Sequence, residues 1–358
     1  MPKFKLKQPL QTWRGETLGP VTLAYETWGE LNRERSNAIL LFTGLSPGAH
    51  AASSEDDPEA GWWELMLGPG KPIDSNRYFV ICVNSLGSCL GSTGPDSLNP
   101  ASGKPWRLDF PELSIEDIAA SSWQVIQHLD IEQLHCVIGP SMGGMTALAL
   151  LKQFPQAARH MISISSAAAA NPFAIAIRSL QREAIVSDPN WEHGHYSDSC
   201  WPISGMRMAR KLGMISYRSA EEWQQRFDRQ PQSQFATTTY GMNFQVESYL
   251  EAHALKFIGQ FDPCCYVYLS RAMDWFDASD RHDGELCAML ATTALQTCLI
   301  MGVHTDLLFP LSDQQALAQA LDHTNIEHQL LALDSLQGHD SFLIDIDRFG
   351  PPVQRYLT

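Results

Sequence analysis

The chain has 358 residues, enough for one large α/β domain with an insertion or for two smaller domains. Hydrophobic residues at 44% and charged residues at 18% make an ordinary globular composition. The formal net charge of −15 argues against a nucleic-acid or anionic-membrane surface, and leaves room for a local basic pocket.

The N-terminal stretch Met1–Pro9 carries lysines but no apolar core, so no secretion signal is expected. No apolar run approaches the roughly 18 residues that span a bilayer. The eight cysteines include an adjacent pair, Cys264-Cys265, and no C-x-x-C motif. Reduced thiols in a cytoplasmic protein are the expectation.

Apolar, β-branched runs recur along the chain: Val21–Trp28, Ala38–Phe42, Tyr78–Val83, Leu134–Ile138, Met161–Ile164, Cys298–Met301 and His328–Leu333. The first two read as an antiparallel pair. The later ones alternate with helical patterns such as Ile115–Leu129 and Ser312–Leu321, the second opening on a serine suited to an N-cap. Short apolar strands alternating with helices predict a mostly parallel sheet covered on both faces. Between about 175 and 293 the strand-like runs stop. Apolar residues there fall at helical spacing, in Ile175–Val186, Gly205–Leu212, Ala220–Phe227, Gln245–Phe257 and Cys264–Phe276. Residues 1–174 and 294–358 are therefore assigned to an α/β core, and 175–293 to a helical lid inserted over the site.

The strand-like run ending at Ile138 meets Gly139-Pro140-Ser141-Met142-Gly143-Gly144 and then the helix-like Met145–Leu151. A strand, a G-x-S-x-G turn and a helix make a nucleophile elbow, which lifts the Ser141 hydroxyl above the carboxyl edge of the sheet. A structural serine in a glycine turn is the bland alternative. A nucleophilic serine needs a base and a group to orient the base. In α/β-hydrolases the order is Ser, Asp or Glu, His. Asp306 follows the run Cys298–Met301, and His339 follows His328–Leu333, both in loops at the ligand-binding edge of the predicted sheet. The triad is therefore Ser141, Asp306 and His339. The Met142 backbone N–H supplies one oxyanion donor, and the loop after Ala38–Phe42 supplies the second, near Leu45.

Many separate blocks resemble the homoserine/serine O-acyltransferase branch of the α/β-hydrolase superfamily, over nearly the whole length. They include Gly61-Trp62-Trp63-Glu64, Gly68–Asp74, Asn84–Cys89, Gly91–Pro95, Ser141–Met145 and Phe244–Leu250. The segments Leu45-Ser46-Pro47, Arg107–Asp117, Ile175–Ile185, Gly205–Gly213 and Tyr268–Asp277 resemble the serine O-succinyltransferases most. The resemblance implies an α/β-hydrolase fold and transfer of an acyl group from a coenzyme A thioester to an amino-acid hydroxyl. It implies no permanently bound cofactor, with succinyl-CoA as co-substrate and L-serine or L-homoserine as acceptor. It also implies a homodimer built through the lid; charge, hydropathy and ligand spacing lead to the expectation of no nucleic-acid, membrane or metal partner.

The resemblance carries over further roles. Arg210 would bind the amino-acid carboxylate and Asp340 its ammonium. Arg178 stands where homoserine enzymes carry Asn and would face the acyl group. Leu45-Ser46-Pro47-Gly48 would line the acceptor side, with Pro47 narrowing it and Gly48 loosening it. One position departs from the pattern. Succinyl-using homoserine enzymes carry Arg two residues after the triad Asp, and this chain has Leu308. That position alone points to acetyl. Arg178 points back to succinyl, because its fork pairs with a free carboxylate and an acetyl group offers none.

Other readings stay open. Arg178 and Arg182 lie one helical turn apart, and the alternative to an active-site role is a solvated face that pairs with acids such as Glu183. Asp340 could cap the helix after His339. His193 and His195 lack a nearby third ligand, His304 and His50 read as structural, and Trp62-Trp63 as core or pocket wall. Homoserine acylation, plain ester hydrolysis and a catalytically dead binding module are the competing functions.

Overall fold

The core of this computed structural model, which describes residues 1–197, 199–233 and 241–358, is an eight-stranded sheet. Its strands are β1 (Lys3–Lys5), β2 (Thr22–Trp28), β3 (Ala38–Phe42), β4 (Phe79–Val83), β5 (Leu134–Pro140), β6 (Ala158–Ile164), β7 (Thr297–Val303) and β8 (Glu327–Leu333). The spatial order is β1-β2-β4-β3-β5-β6-β7-β8. Strands β3 to β8 run parallel, while β2 is antiparallel to both β1 and β4. The central strands are buried on both faces, which is why their sequences are unbroken apolar runs.

The expected antiparallel pairing of the first two runs does not occur. Strand β4 lies between them, with Leu40 opposite Ile81 and Glu26 opposite Cys82. The fully buried β3 pairs with parallel neighbours on both sides, so the partly exposed β2 is displaced outward.

One face of the sheet is covered by α1 (Ile115–His128) and α2 (Met142–Gln153), whose buried residues join Leu40, Phe42 and Val137 in one core. The other face packs on Trp63, Phe342, Phe349 and Val353, the last two from the C-terminal helix Ile346–Leu357. The helix expected to open on Ser312 runs Leu311–Asp322 and has Pro310 at its N-cap. Ser312 therefore sits inside the first turn and caps nothing.

Between β6 and β7 lies a helical insertion: α3 (Pro172–Val186), α4 (Ile203–Tyr217), α5 (Ala220–Phe227), α6 (Gln245–Phe257) and α7 (Pro263–Trp275). Helix α3 starts three residues before the expected boundary, because the Asn171 side chain accepts the Ala174 N–H and caps it there. Among the described residues no helix is long and apolar enough to cross a membrane. All eight cysteines are free thiols.

Candidate active site

Parallel strands bring their carboxyl ends to one edge, and the loops there gather residues far apart in sequence. Leu45 follows β3, Ser141 follows β5, Asp306 follows β7 and His339 follows β8. Ser141 has φ 55° and ψ −125°, a conformation that is costly for a residue with a side chain. Glycines make this turn possible. A Cβ on Gly139 would lie 2.1 Å from the Gly143 carbonyl oxygen, and one on Gly143 would lie 2.7 Å from that of Phe42.

His339 Nδ1 lies 2.7 Å from Asp306 Oδ2, and His339 Nε2 lies 2.9 Å from Ser141 Oγ. An ionised carboxylate only accepts, so Nδ1 carries the proton and the Nε2 lone pair faces the serine hydroxyl. The other Asp306 oxygen accepts the Leu308 and Phe309 N–H groups at 2.9 and 3.0 Å. Phe309 stacks on the imidazole with ring centroids 5.1 Å apart, and Phe342 meets it edge-on. Burial disfavours the imidazolium, but the Asp306 carboxylate outweighs burial and holds His339 above its ordinary 6.5.

These groups open onto a cavity of about 100 Å³. Leu45, Ser46 and Pro47 line it beside Ser141, with Trp62, Tyr217, Tyr266 and Leu308 completing the walls. Met142 is the first residue of α2, so its N–H has no acceptor within the helix. Gly48 departs from the expected loop. Its carbonyl accepts the Trp62 indole N–H at 3.0 Å, and a Cβ there would meet Leu90 rather than the cavity.

Arg178 lies in the cavity wall and is 5% exposed. Its Nε pairs with Asp274 at 2.5 Å, and its Nη2 is buried without a partner. The solvated-face reading of this arginine is therefore overturned: α7 packs against α3 and closes over it. Asp340 also lines the cavity. It makes no cap hydrogen bond and pairs instead with Arg218 Nε at 3.1 Å. Burial raises its carboxyl above the ordinary 3.8, against the pull of Arg218.

Arg210 stacks its guanidinium over the Phe257 ring at 4.7 Å, its Nε is buried without a hydrogen-bond partner, and its charge is felt at Tyr217, Tyr266 and Asp340, three residues of the cavity wall. Sequence reasoning missed Tyr217, Tyr266, Arg218 and Asp274. Tyrosines in helices carry no motif, and the two ion pairs join segments that have no fixed spacing.

His50 does not pack on the oxyanion loop alone. Its ring nitrogens meet Glu26 Oε2 and the Glu59 carbonyl, each at 2.9 Å. The Glu59 carbonyl demands an N–H at Nε2, while Nδ1 faces the Glu26 carboxylate with Asp57 also nearby.

The alpha/beta hydrolase fold family matches residues 37–345. A serine O-succinyltransferase of Stenotrophomonas maltophilia (strain K279a) is 56% identical over 354 residues, covering 98% of this chain and 96% of that protein. The chain belongs to the serine O-succinyltransferase family. Among solved structures, the homoserine O-acetyltransferase of Bacillus anthracis matches this family member with a TM-score of 0.91 and 28% identity, over 100% of this chain and 97% of that one. Esterase E22 matches equally, at TM-score 0.91 and 28% identity, over 100% and 99% of the two chains. The serine O-succinyltransferase family thus shares its scaffold with a protein named as a homoserine O-acetyltransferase and with one named as an esterase.

Proposed function

We propose that this protein transfers the succinyl group of succinyl-CoA to the hydroxyl of L-serine through an ester on Ser141. His339 takes the Ser141 proton as Oγ attacks the thioester carbonyl. The backbone N–H groups of Met142 and Leu45 hold the oxyanion. The carbon–sulfur bond breaks, and coenzyme A leaves as the thiol with the proton from His339. The serine hydroxyl then gives its proton to His339 and attacks the ester, and Ser141 regains the proton as O-succinylserine departs. Asp306 keeps the imidazole in the tautomer that both halves need. The insertion over the site limits water, so the ester waits for the amino acid.

The observation that carries this reading is Arg178, buried with an unpartnered Nη2 in the wall of the cavity that holds Ser141. A succinyl group brings a carboxylate to it, whereas an acetyl group leaves a buried donor unpaired. Succinate, which leaves from the product ester, is a better leaving group than hydroxide, and this prepares serine for replacement of its oxygen by sulfur on the way to cysteine. Asp340 is assigned the ammonium of the acceptor.

The test crosses succinyl- and acetyl-CoA with L-serine and L-homoserine and follows thiol release. The reading expects succinyl-CoA with L-serine to dominate. Preference for L-homoserine would move the reaction to methionine synthesis. The likeness to esterase E22 favours a second reading, hydrolysis, which thiol release indifferent to amino acid would establish.

The same reading carries a cytoplasmic homodimer. Exposed Phe173, Leu180, Met208, Ile215 and Leu255 on the insertion helices support an interface there, and light scattering tests it.

A further inference from the structure

Helices α3 and α7 meet at one carboxylate. Asp274 Oδ1 takes Arg178 Nε at 2.5 Å, and Asp274 Oδ2 faces Arg182 Nη2 at 2.6 Å. Arg182 Nη1 also donates to Ser270 Oγ at 3.2 Å, back on α7. The Asp274 side chain is buried, as is that of Arg178. Two guanidinium groups share one carboxylate, so the trio keeps a single net positive charge. That charge is presented to the cavity at Arg178, because only Arg178 of the three lines it.

We propose that Asp274 is a positioning residue that tunes this subsite for acyl groups ending in one carboxylate. The inference rests on the succinyl reading above and deepens it. Asp274 engages Arg178 through Nε, which fixes the plane of the guanidinium and leaves Nη2 without a partner. A long, flexible arginine held in this way loses less freedom when it binds a second carboxylate. Arg182 matters for charge. Without it, Asp274 alone would neutralise Arg178, and an incoming carboxylate would meet a closed ion pair. With it, one positive charge remains for one negative charge. A neutral acyl group gains nothing from the arrangement and leaves Nη2 dry and unpaired.

The test compares Asp274→Asn and Arg182→Gln with the wild type, using succinyl-CoA and acetyl-CoA as donors and L-serine as acceptor. Both variants are checked for cooperative thermal unfolding. For each variant kcat/KM with succinyl-CoA is expected to fall about tenfold or more, chiefly through KM: Arg182→Gln leaves Arg178 neutralised by Asp274, and Asp274→Asn, although it adds net positive charge, frees the Arg178 guanidinium from the plane that presents Nη2. With acetyl-CoA the same ratio should move by less than about threefold, because that donor does not use the subsite. Equal losses with both donors would mark a merely structural ion pair and overturn the inference, as would an unchanged donor preference in both variants. If Asp274→Asn does not fold, the donor preference of Arg182→Gln decides. A wild type without preference for succinyl-CoA would instead sink the functional reading itself, so the two failures are distinguishable.

Discussion

Asp340 directly follows His339, yet its carboxylate turns to Arg218, pairing with Nε at 3.1 Å across a gap of more than a hundred positions. Arg218 also donates to Glu222 and to the Gln337 side chain, so the loop carrying His339 is tied to the end of α4. A carboxylate held in this way lies on the cavity wall beside the base without hydrogen-bonding to it. Asp340→Asn removes the charge assigned to the acceptor ammonium and keeps the shape. The expected result is a rise of about tenfold or more in KM for L-serine. Acylation by succinyl-CoA, read as the burst of thiol release, should change far less. Equal loss in both halves would place Asp340 in the support of His339 instead.

The pH profile follows from His339. It must be neutral to accept the Ser141 proton, and Asp306 holds it above 6.5 despite its burial. kcat/KM for succinyl-CoA should therefore rise with pH, with its midpoint above 6.5. Asp306→Asn removes the main cause of the upward shift, so the midpoint should move down. Activity should fall by about 10⁴ because the tautomer is lost. A profile flat between pH 6 and 8 would contradict the assignment.

The opposite edge of the sheet gives a stability prediction. His135 at the start of β5 stacks on Tyr78 and lies against His160. Burial, with the nearby charges of His160, Arg159 and Arg77, lowers its pKa to about 4. His160 is lowered as well, chiefly by burial. Both rings bind protons more readily in the unfolded chain. Their contribution is therefore fully present above about 6.5, and it is lost as pH falls from there toward the folded value. His135→Gln should flatten the fall in Tm between pH 7 and 5, measured calorimetrically.

Gly139 tests the elbow without touching a reacting group. Its Cα faces the Gly143 carbonyl so closely that even a methyl group cannot enter. Gly139→Ala should cost about 3 kcal/mol or more of stability, because the obstacle is backbone and cannot rotate away. A denaturant titration with unchanged midpoint would show that the turn is looser than described.

Much of this was legible in the chain. The run Ala38–Phe42 reads as a strand and is one, and Ala220–Phe227 and Gln245–Phe257 keep their expected bounds, because burial writes a local period into the sequence. The triad was legible because each member follows a strand-like run in the order the fold demands. What the sequence concealed was pairing across distance. Strand β4 separates β2 from β3, and no local signal records sheet order. Arg178 was visible as a cation, but its grip by Asp274, 96 positions away, was not. Arg210 was visible through the family resemblance, but its stacking on Phe257, 47 positions away, was not.

The central claim is a transient succinyl ester on Ser141. Intact-mass and peptide mass spectrometry of the protein quenched after mixing with succinyl-CoA, with no amino acid present, tests it most directly. The expected result is a gain of one succinyl group on the peptide containing Ser141, cleared on adding L-serine and absent in Ser141→Ala. Coenzyme A release that needs L-serine in the mixture, with Ser141 never modified, would contradict it.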